Sequence, residues 1–241
     1  MADDGGLGKS TLPVFAPIAI MPWFLPAKGS PMTRTVTLII GTKQFSSWSL
    51  RPWLAAKVGG LAVDEVEITL RQPDTKARIL AHSPSGKVPC LIDAGLVVWD
   101  SLAICEYLAE LVPDLWPEDR NARAVARAVS AEMHAGFQAL RSQCPMDVCL
   151  EAPMAEIAAE VQADIDRIDA LWCECRARFG AGGPFLFGRF SVADAMYAPV
   201  VTRFATYGLP LSPAAAAYAQ AVRALPAMRD WVAEATASLS A

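Results

Sequence analysis

Three clusters of side chains in this 241-residue chain carry groups capable of chemistry. In Phe45-Ser46-Ser47-Trp48-Ser49-Leu50-Arg51, hydroxyls crowd one turn just after an apolar run. A serine there donates to a bound anion or caps the helix that follows at Ser49, and a turn can aim either Ser46 or Ser47. Asp100-Ser101 stands immediately before Leu102, Cys105, Leu108 and Val112, which fall at helical spacing. Ser101 could receive an anion at the positive end of the helix dipole, or either residue could simply cap the helix. Arg127, Ser130, His134 and Arg141 form one polar stripe opposite Val125, Val129, Met133 and Phe137, either an anion-binding surface or a solvated face with a salt bridge.

Other chemistries are excluded by composition. Residues 5–11, GGLGKST, look like the end of a phosphate-binding loop, but that motif needs Gly five residues before its Gly-Lys, where this chain has Asp3. Six cysteines without a CxxC pair, and two histidines, give no metal-ligand pattern; Cys173 and Cys175 point in different directions on a helix. A reduced, cytoplasmic setting follows from that usage. The formal charge of −4 argues against nucleic acid as a partner. Residues 12–25 are apolar but broken by Pro13, Pro17 and Pro22, too short to span a bilayer. No Lys or Arg precedes Lys9 and no cleavage site is clear, which argues against a signal peptide. Residues 1–32 read as a flexible or non-native extension.

The elements that must position these groups can be traced from periodicity. Val36, Leu38 and Ile40 with Ile39 predict a strand buried on both faces, ended by Gly41, and Ser49–Val58 a helix with Pro52 in its first turn. Val66, Ile68 and Leu70 alternate with Glu65, Glu67 and Thr69 in a strand with one wet face. A short helix around 75–82 precedes the turn Ser83-Pro84-Ser85-Gly86. Apolar runs at 88–92 and 96–99 flank Asp93-Ala94-Gly95, a hairpin signal, and a helix then runs to Pro113. Alanine, the best helix former, numbers 12 in residues 1–119 and 31 in residues 120–241, which predicts an all-helical second half. One long helix carries Val125 to Leu140, a second Ile157 to Phe179, and shorter ones follow at 191–207, 213–224 and 226–237. Ser191 and Asp194 form a capping box at the start of the first of these.

Pro84-Ser85-Gly86-Lys87-Val88-Pro89-Cys90-Leu91-Ile92, then Trp99-Asp100-Ser101-Leu102-Ala103-Ile104-Cys105-Glu106-Tyr107-Leu108, resembles the glutathione transferase family from about Val36 to Trp231. The resemblance implies a cis bond before Pro89, a Val88 backbone that pairs with the cysteinyl backbone of glutathione, and a γ-glutamyl carboxylate at Ser101 with its ammonium facing Asp100. The serine turn resembles that of the zeta class and of related bacterial enzymes, which implies that Ser46, with Ser47 as rival, donates to the glutathione thiolate. Trp48, grouped with the glutathione-binding residues, stands where the zeta class has the Cys associated with maleylacetoacetate isomerisation. By the same resemblance His134, Phe137 and Arg141 border the acceptor site, while Ser191 and Asp194, after Phe185-Leu186-Phe187-Gly188, serve folding.

The expected fold is α+β: a thioredoxin-like domain at 33–112, a linker at 113–119 and an all-helical domain at 120–241. The resemblance implies a cytoplasmic homodimer that conjugates glutathione, as co-substrate, to an electrophilic small molecule in detoxification, with no metal, nucleic acid or membrane. Two alternatives stay open: a glutathione-dependent cis-trans isomerase, and a non-catalytic glutathione-binding protein.

Overall fold

The computed structural model describes residues 34–239, so the 1–32 extension lies outside the described residues. β1 (Thr35–Gly41) takes the centre of a four-stranded sheet because both its faces are apolar. Val36, Leu38 and Ile40 enter the large core, while Ile39 packs with Ile68, Ile79 and Cys90 on the opposite face. α1 (Ser47–Val58) crosses over to β2 (Ala62–Ile68), which pairs parallel to β1, and α2 (Thr75–Leu80) follows. β3 (Cys90–Asp93) and β4 (Leu96–Trp99) add the antiparallel hairpin, giving the order β2-β1-β3-β4. Ala94 and Gly95 have φ +48° and +88°, the two left-handed residues of a tight hairpin turn. α3 (Ser101–Leu111) ends before a short 3-10 turn at Pro113–Leu115.

From Arg120 onward the described residues form six helices, α4 (Arg120–Ala135), α5 (Gln138–Gln143), α6 (Ala159–Phe179), α7 (Val192–Tyr207), α8 (Pro213–Ala224) and α9 (Pro226–Ala237), with two isolated bridges in 185–189 and a non-helical stretch at 144–158. Two expectations are corrected. α1 begins at Ser47 rather than Ser49, so Pro52 falls sixth in the helix and offers no N–H to the Trp48 carbonyl. The helix expected to run through Leu140 breaks at Gly136, and Phe137 stands at φ +59° before α5. With that break the predicted polar stripe dissolves: Ser130 is buried and donates to the Ala126 carbonyl at 2.7 Å, while exposed Arg127 pairs with Glu106. Phe137 itself is buried in the core.

One core runs from the sheet into the helices. α1 packs on α7 and α9, with Trp53 edge-on to Trp231 at 4.9 Å. The Lys43 ammonium ties this seam together: it pairs with Glu65 at 2.6 Å and with Glu234 of α9, over the rings of Trp53 and Trp231. Trp231 Nε1 in turn donates to the Lys43 carbonyl at 2.9 Å.

The capping box at the start of α7 is present. The buried Asp194 carboxylate accepts from Ser191 N at 2.8 Å, Ser191 Oγ at 3.0 Å and Leu186 N at 3.1 Å, joining the 185–188 turn to the helix. Burial pushes its carboxyl up to about 6, against the pull of these donors. Replacing Asp194 with Ala strands two backbone donors and a hydroxyl in the core, each costing about 1–3 kcal/mol. Urea denaturation of Asp194→Ala should show a loss of about 3 kcal/mol or more; a shift below about 1 kcal/mol would show that the box contributes no more than an exposed cap.

Candidate active site

A cleft of about 580 Å³ opens between the hairpin and the start of α1, lined by Trp48, Ser85, Lys87, Val88, Pro89, Trp99, Asp100 and Ser101. Five residues singled out from sequence, Trp48, Val88, Pro89, Asp100 and Ser101, thus meet in one place. The Val88–Pro89 peptide is cis. Among the described residues no hydrogen bond occupies the Val88 N–H or C=O, which leaves an edge for an extended ligand backbone.

Asp100 holds an unusual conformation, φ +75° and ψ 132°, that strains a residue with a Cβ by about 1–3 kcal/mol. Its Oδ1 accepts from Leu102 N at 2.9 Å and Ala103 N at 3.3 Å, so it caps α3 while it lines the cleft. The cap and the site are one structure. Ser101 is buried at the first helical position, and its Oγ lies 3.5 Å from Nη1 of Arg51.

The serine turn reaches the lining of this cleft through Trp48, while Ser46, Ser47 and Ser49 are not on it. Ser46, buried, donates to Oγ of the fully buried Ser49 at 2.7 Å, and Ser49 Oγ also accepts from Gly41 N at 3.1 Å. Ser46 precedes α1 without capping it through its side chain, and Ser47 is the first helical residue. Ser49, read from sequence only as a cap, is therefore part of the hydroxyl network.

Trp48 is 37% exposed and stacked on by two guanidiniums. Arg51 lies 4.3 Å and Arg141 4.8 Å from its ring, and His134 meets it edge-on at 5.3 Å. Arg141 has no salt bridge among the described residues; it donates instead to the Met133 and His134 carbonyls at the C-terminus of α4. Nε2 of His134 is 3.4 Å from Asp100 Oδ2, and its Nδ1 is buried without a partner. Arg51 was missed from sequence, although an arginine in the apolar run Leu50–Ala56 was a visible anomaly. Burial lowers it to about 9, with Arg141 and Arg203 adding repulsion. Cys105, buried nearby, is pushed up to about 12 and is an inert thiol. Among the described residues no group of three His, Cys, Asp or Glu side chains could hold a metal ion, and no helix is long and apolar enough to cross a membrane.

Burial, and secondarily repulsion by Arg51 and Arg141, holds the His134 imidazole below its ordinary 6.5 despite Asp100. The unfolded chain therefore takes up this proton first, and stability falls as pH drops through 6.5. The urea midpoint of wild type should fall more between pH 7.5 and 5.5 than that of His134→Gln. Equal slopes for the two proteins would contradict this.

Comparison with known proteins covers both halves. The pattern of the glutathione S-transferase N-terminal domain matches residues 45–111, and that of the glutathione S-transferase C-terminal domain residues 154–234. A probable maleylacetoacetate isomerase of Caenorhabditis elegans is 37% identical over 98 residues, 40% of this chain and 45% of that protein, so the match spans less than half of that relative. The maleylacetoacetate isomerase of Rattus norvegicus is 28% identical over 173 residues, 69% of this chain and 77% of that one. The fold is shared with a glutathione transferase homologue from Burkholderia solved with bound glutathione, at a TM-score of 0.62 and 21% identity over 84% of this chain and 98% of that one. With both domain patterns matched in order, and the fold and the cleft in agreement, the chain belongs to the glutathione S-transferase family.

Proposed function

We propose that the protein is a glutathione transferase that binds glutathione in the 580 Å³ cleft and conjugates it to an electrophilic small molecule. One observation carries this reading: the unpaired Val88 backbone, the start of α3 at Ser101 and the indole of Trp48 share one cleft, next to a buried pair of serine hydroxyls. The tripeptide lies along Val88 as an added strand, its γ-glutamyl carboxylate at Ser101 and its ammonium near Asp100, which brings the thiol to the serine turn.

A free thiol near pKa 8.5 is mostly protonated at neutral pH, and a hydrogen bond to the thiolate favours ionisation. The Ser46–Ser49 pair supplies that bond by reversing its direction. Ser49, held by the Gly41 N–H, donates to Ser46, and the Ser46 proton turns to the sulfur. The thiolate then attacks the electrophile; with an aryl halide the C–S bond forms, chloride leaves, and the thiol proton has already passed to solvent. Trp48 walls the acceptor side, with His134 and Arg141 behind it. The enzyme works as a homodimer in the cytoplasm.

A second reading is supported by the similarity to maleylacetoacetate isomerases. In it the thiolate adds to a cis-enone, the resulting single bond rotates, and elimination returns the thiolate. Trp48, in the place of a cysteine, disfavours this chemistry without blocking conjugation.

Titration of the ultraviolet thiolate band of bound glutathione tests the mechanism. Ser46→Ala should raise the apparent thiol pKa by on the order of one unit, and Ser47→Ala by less. If neither substitution raises it, the assignment of the serine turn is wrong. In parallel, wild type should turn over chlorodinitrobenzene; measurable isomerisation of a cis-enone without conjugation would move the assignment to the second reading, and glutathione binding with no fall in thiol pKa to a non-catalytic protein.

A further inference from the structure

Asp100 divides its carboxylate between two duties. Oδ1 caps α3, while Oδ2 accepts no hydrogen bond among the described residues. Within ion-pair distance of Oδ2 stands Nε2 of His134, at 3.4 Å, longer than a good hydrogen bond. His134 comes from the last turn of α4, so this contact joins the helical half to a residue that lines the cleft. The mechanism above leaves it without a role.

Nδ1 of His134 is buried and unpartnered, so the neutral ring carries its proton on Nε2, facing the carboxylate. In that form it orients Oδ2 without cancelling its charge. A second proton would have to sit on Nδ1, where nothing accepts it, and would turn the contact into an ion pair. Burial opposes that proton most; Asp100 at the start of α3 favours it, and Arg51 of α1 and Arg141 of α5 oppose it. Other charges on the elements around α4 have partners of their own. Glu106 of α3 pairs with Arg127, and Glu132 with Arg167 of α6. Asp164 of α6 accepts from Leu140 N, and Arg203 of α7 donates to the Cys144 and Pro199 carbonyls. Asp100 thus offers the cleft one negative charge, and an imidazolium 3.4 Å away would repel any second cation that came to it.

We propose that His134 is the positioning residue of the ammonium subsite: its neutral imidazole leaves Asp100 Oδ2 to the γ-glutamyl ammonium of glutathione, and its imidazolium takes that oxygen and excludes the ammonium. This rests on the placement of glutathione argued above. By linkage, ligand and proton weaken each other's binding by the same factor.

Calorimetric titration at pH 7.5 and 5.5 tests it with two ligands: S-methylglutathione, which has no thiol to ionise, and S-methyl-glutaryl-cysteinyl-glycine, the same molecule without the ammonium. Wild type should lose about twofold or more in affinity for the first on acidification and almost none for the second. His134→Gln, which keeps an N–H donor but takes up no proton, should lose most of that pH dependence, whereas any titration of Asp100 itself would persist in it. A merely structural histidine would shift both ligands alike at both pH values; that result, a flat wild-type profile, or an unchanged profile in His134→Gln overturns the proposal. Should His134→Gln fail to fold, proton NMR of wild type decides. The chain has two histidines, and the ring signal that persists in His82→Gln belongs to His134. Its titration midpoint should lie lower by about 0.5 in pH with S-methylglutathione bound than with the ligand lacking the ammonium, and equal midpoints are the contrary outcome. If wild type at pH 7.5 binds both ligands equally well, the placement of the ammonium at Asp100 is what fails, and the proposal falls with it.

Discussion

Removing a guanidinium from water costs several kcal/mol, and α1 carries one in the middle of its apolar face. The surroundings of Arg51 follow from that cost. Trp48 offers a π-face, Ser101 a hydroxyl, and Asp100 the nearest negative charge. These three residues also line the cleft. The strained backbone of Asp100 belongs to the same arrangement, since its conformation lets one carboxylate oxygen close the end of α3 while the other reaches His134. Electrostatic compensation and ligand geometry are therefore not separable here: a change that relieved Arg51 would also redraw the site.

The helical half takes part through the break at Gly136 and Phe137. A continuous helix would have satisfied the last carbonyls of α4 with its own next turn. Broken, it leaves them to Arg141, whose guanidinium covers Met133 and His134 on one side and Trp48 on the other. A residue far along the sequence thus becomes the back wall of an indole that belongs to the serine turn.

What could be read from the sequence was local. Ala94 and Gly95 announce the hairpin through turn chemistry, Pro213 and Pro226 mark helix starts, and Ser191 with Asp194 encodes its box within four residues. Four of the cleft residues, Val88, Pro89, Asp100 and Ser101, were legible because their spacing from the hairpin to the start of α3 is short, and Trp48 was legible within the serine turn. The failures are contacts between distant residues. Periodicity carries the Val125 to Leu140 pattern straight through Gly136, and nothing near Phe137 requires a left-handed backbone except the packing that buries it. The Ser46–Ser49 bond depends on where α1 starts, a boundary misplaced by two residues. The environment of Arg51 is set by Ser101, fifty positions away.

The contact between Trp231 Nε1 and the Lys43 carbonyl joins residues 188 positions apart. Lys43 sits three residues before Ser46, and its ammonium reaches Glu234 as well. The turn that holds the hydroxyls is thus buttressed by α9, a helix made long after it. During synthesis the sheet half emerges first, yet the native support of its serine turn cannot form until α9 has been made and has docked. Closing so long a loop adds entropy cost to that docking, so maturation of the site belongs to the late, non-local stage of folding.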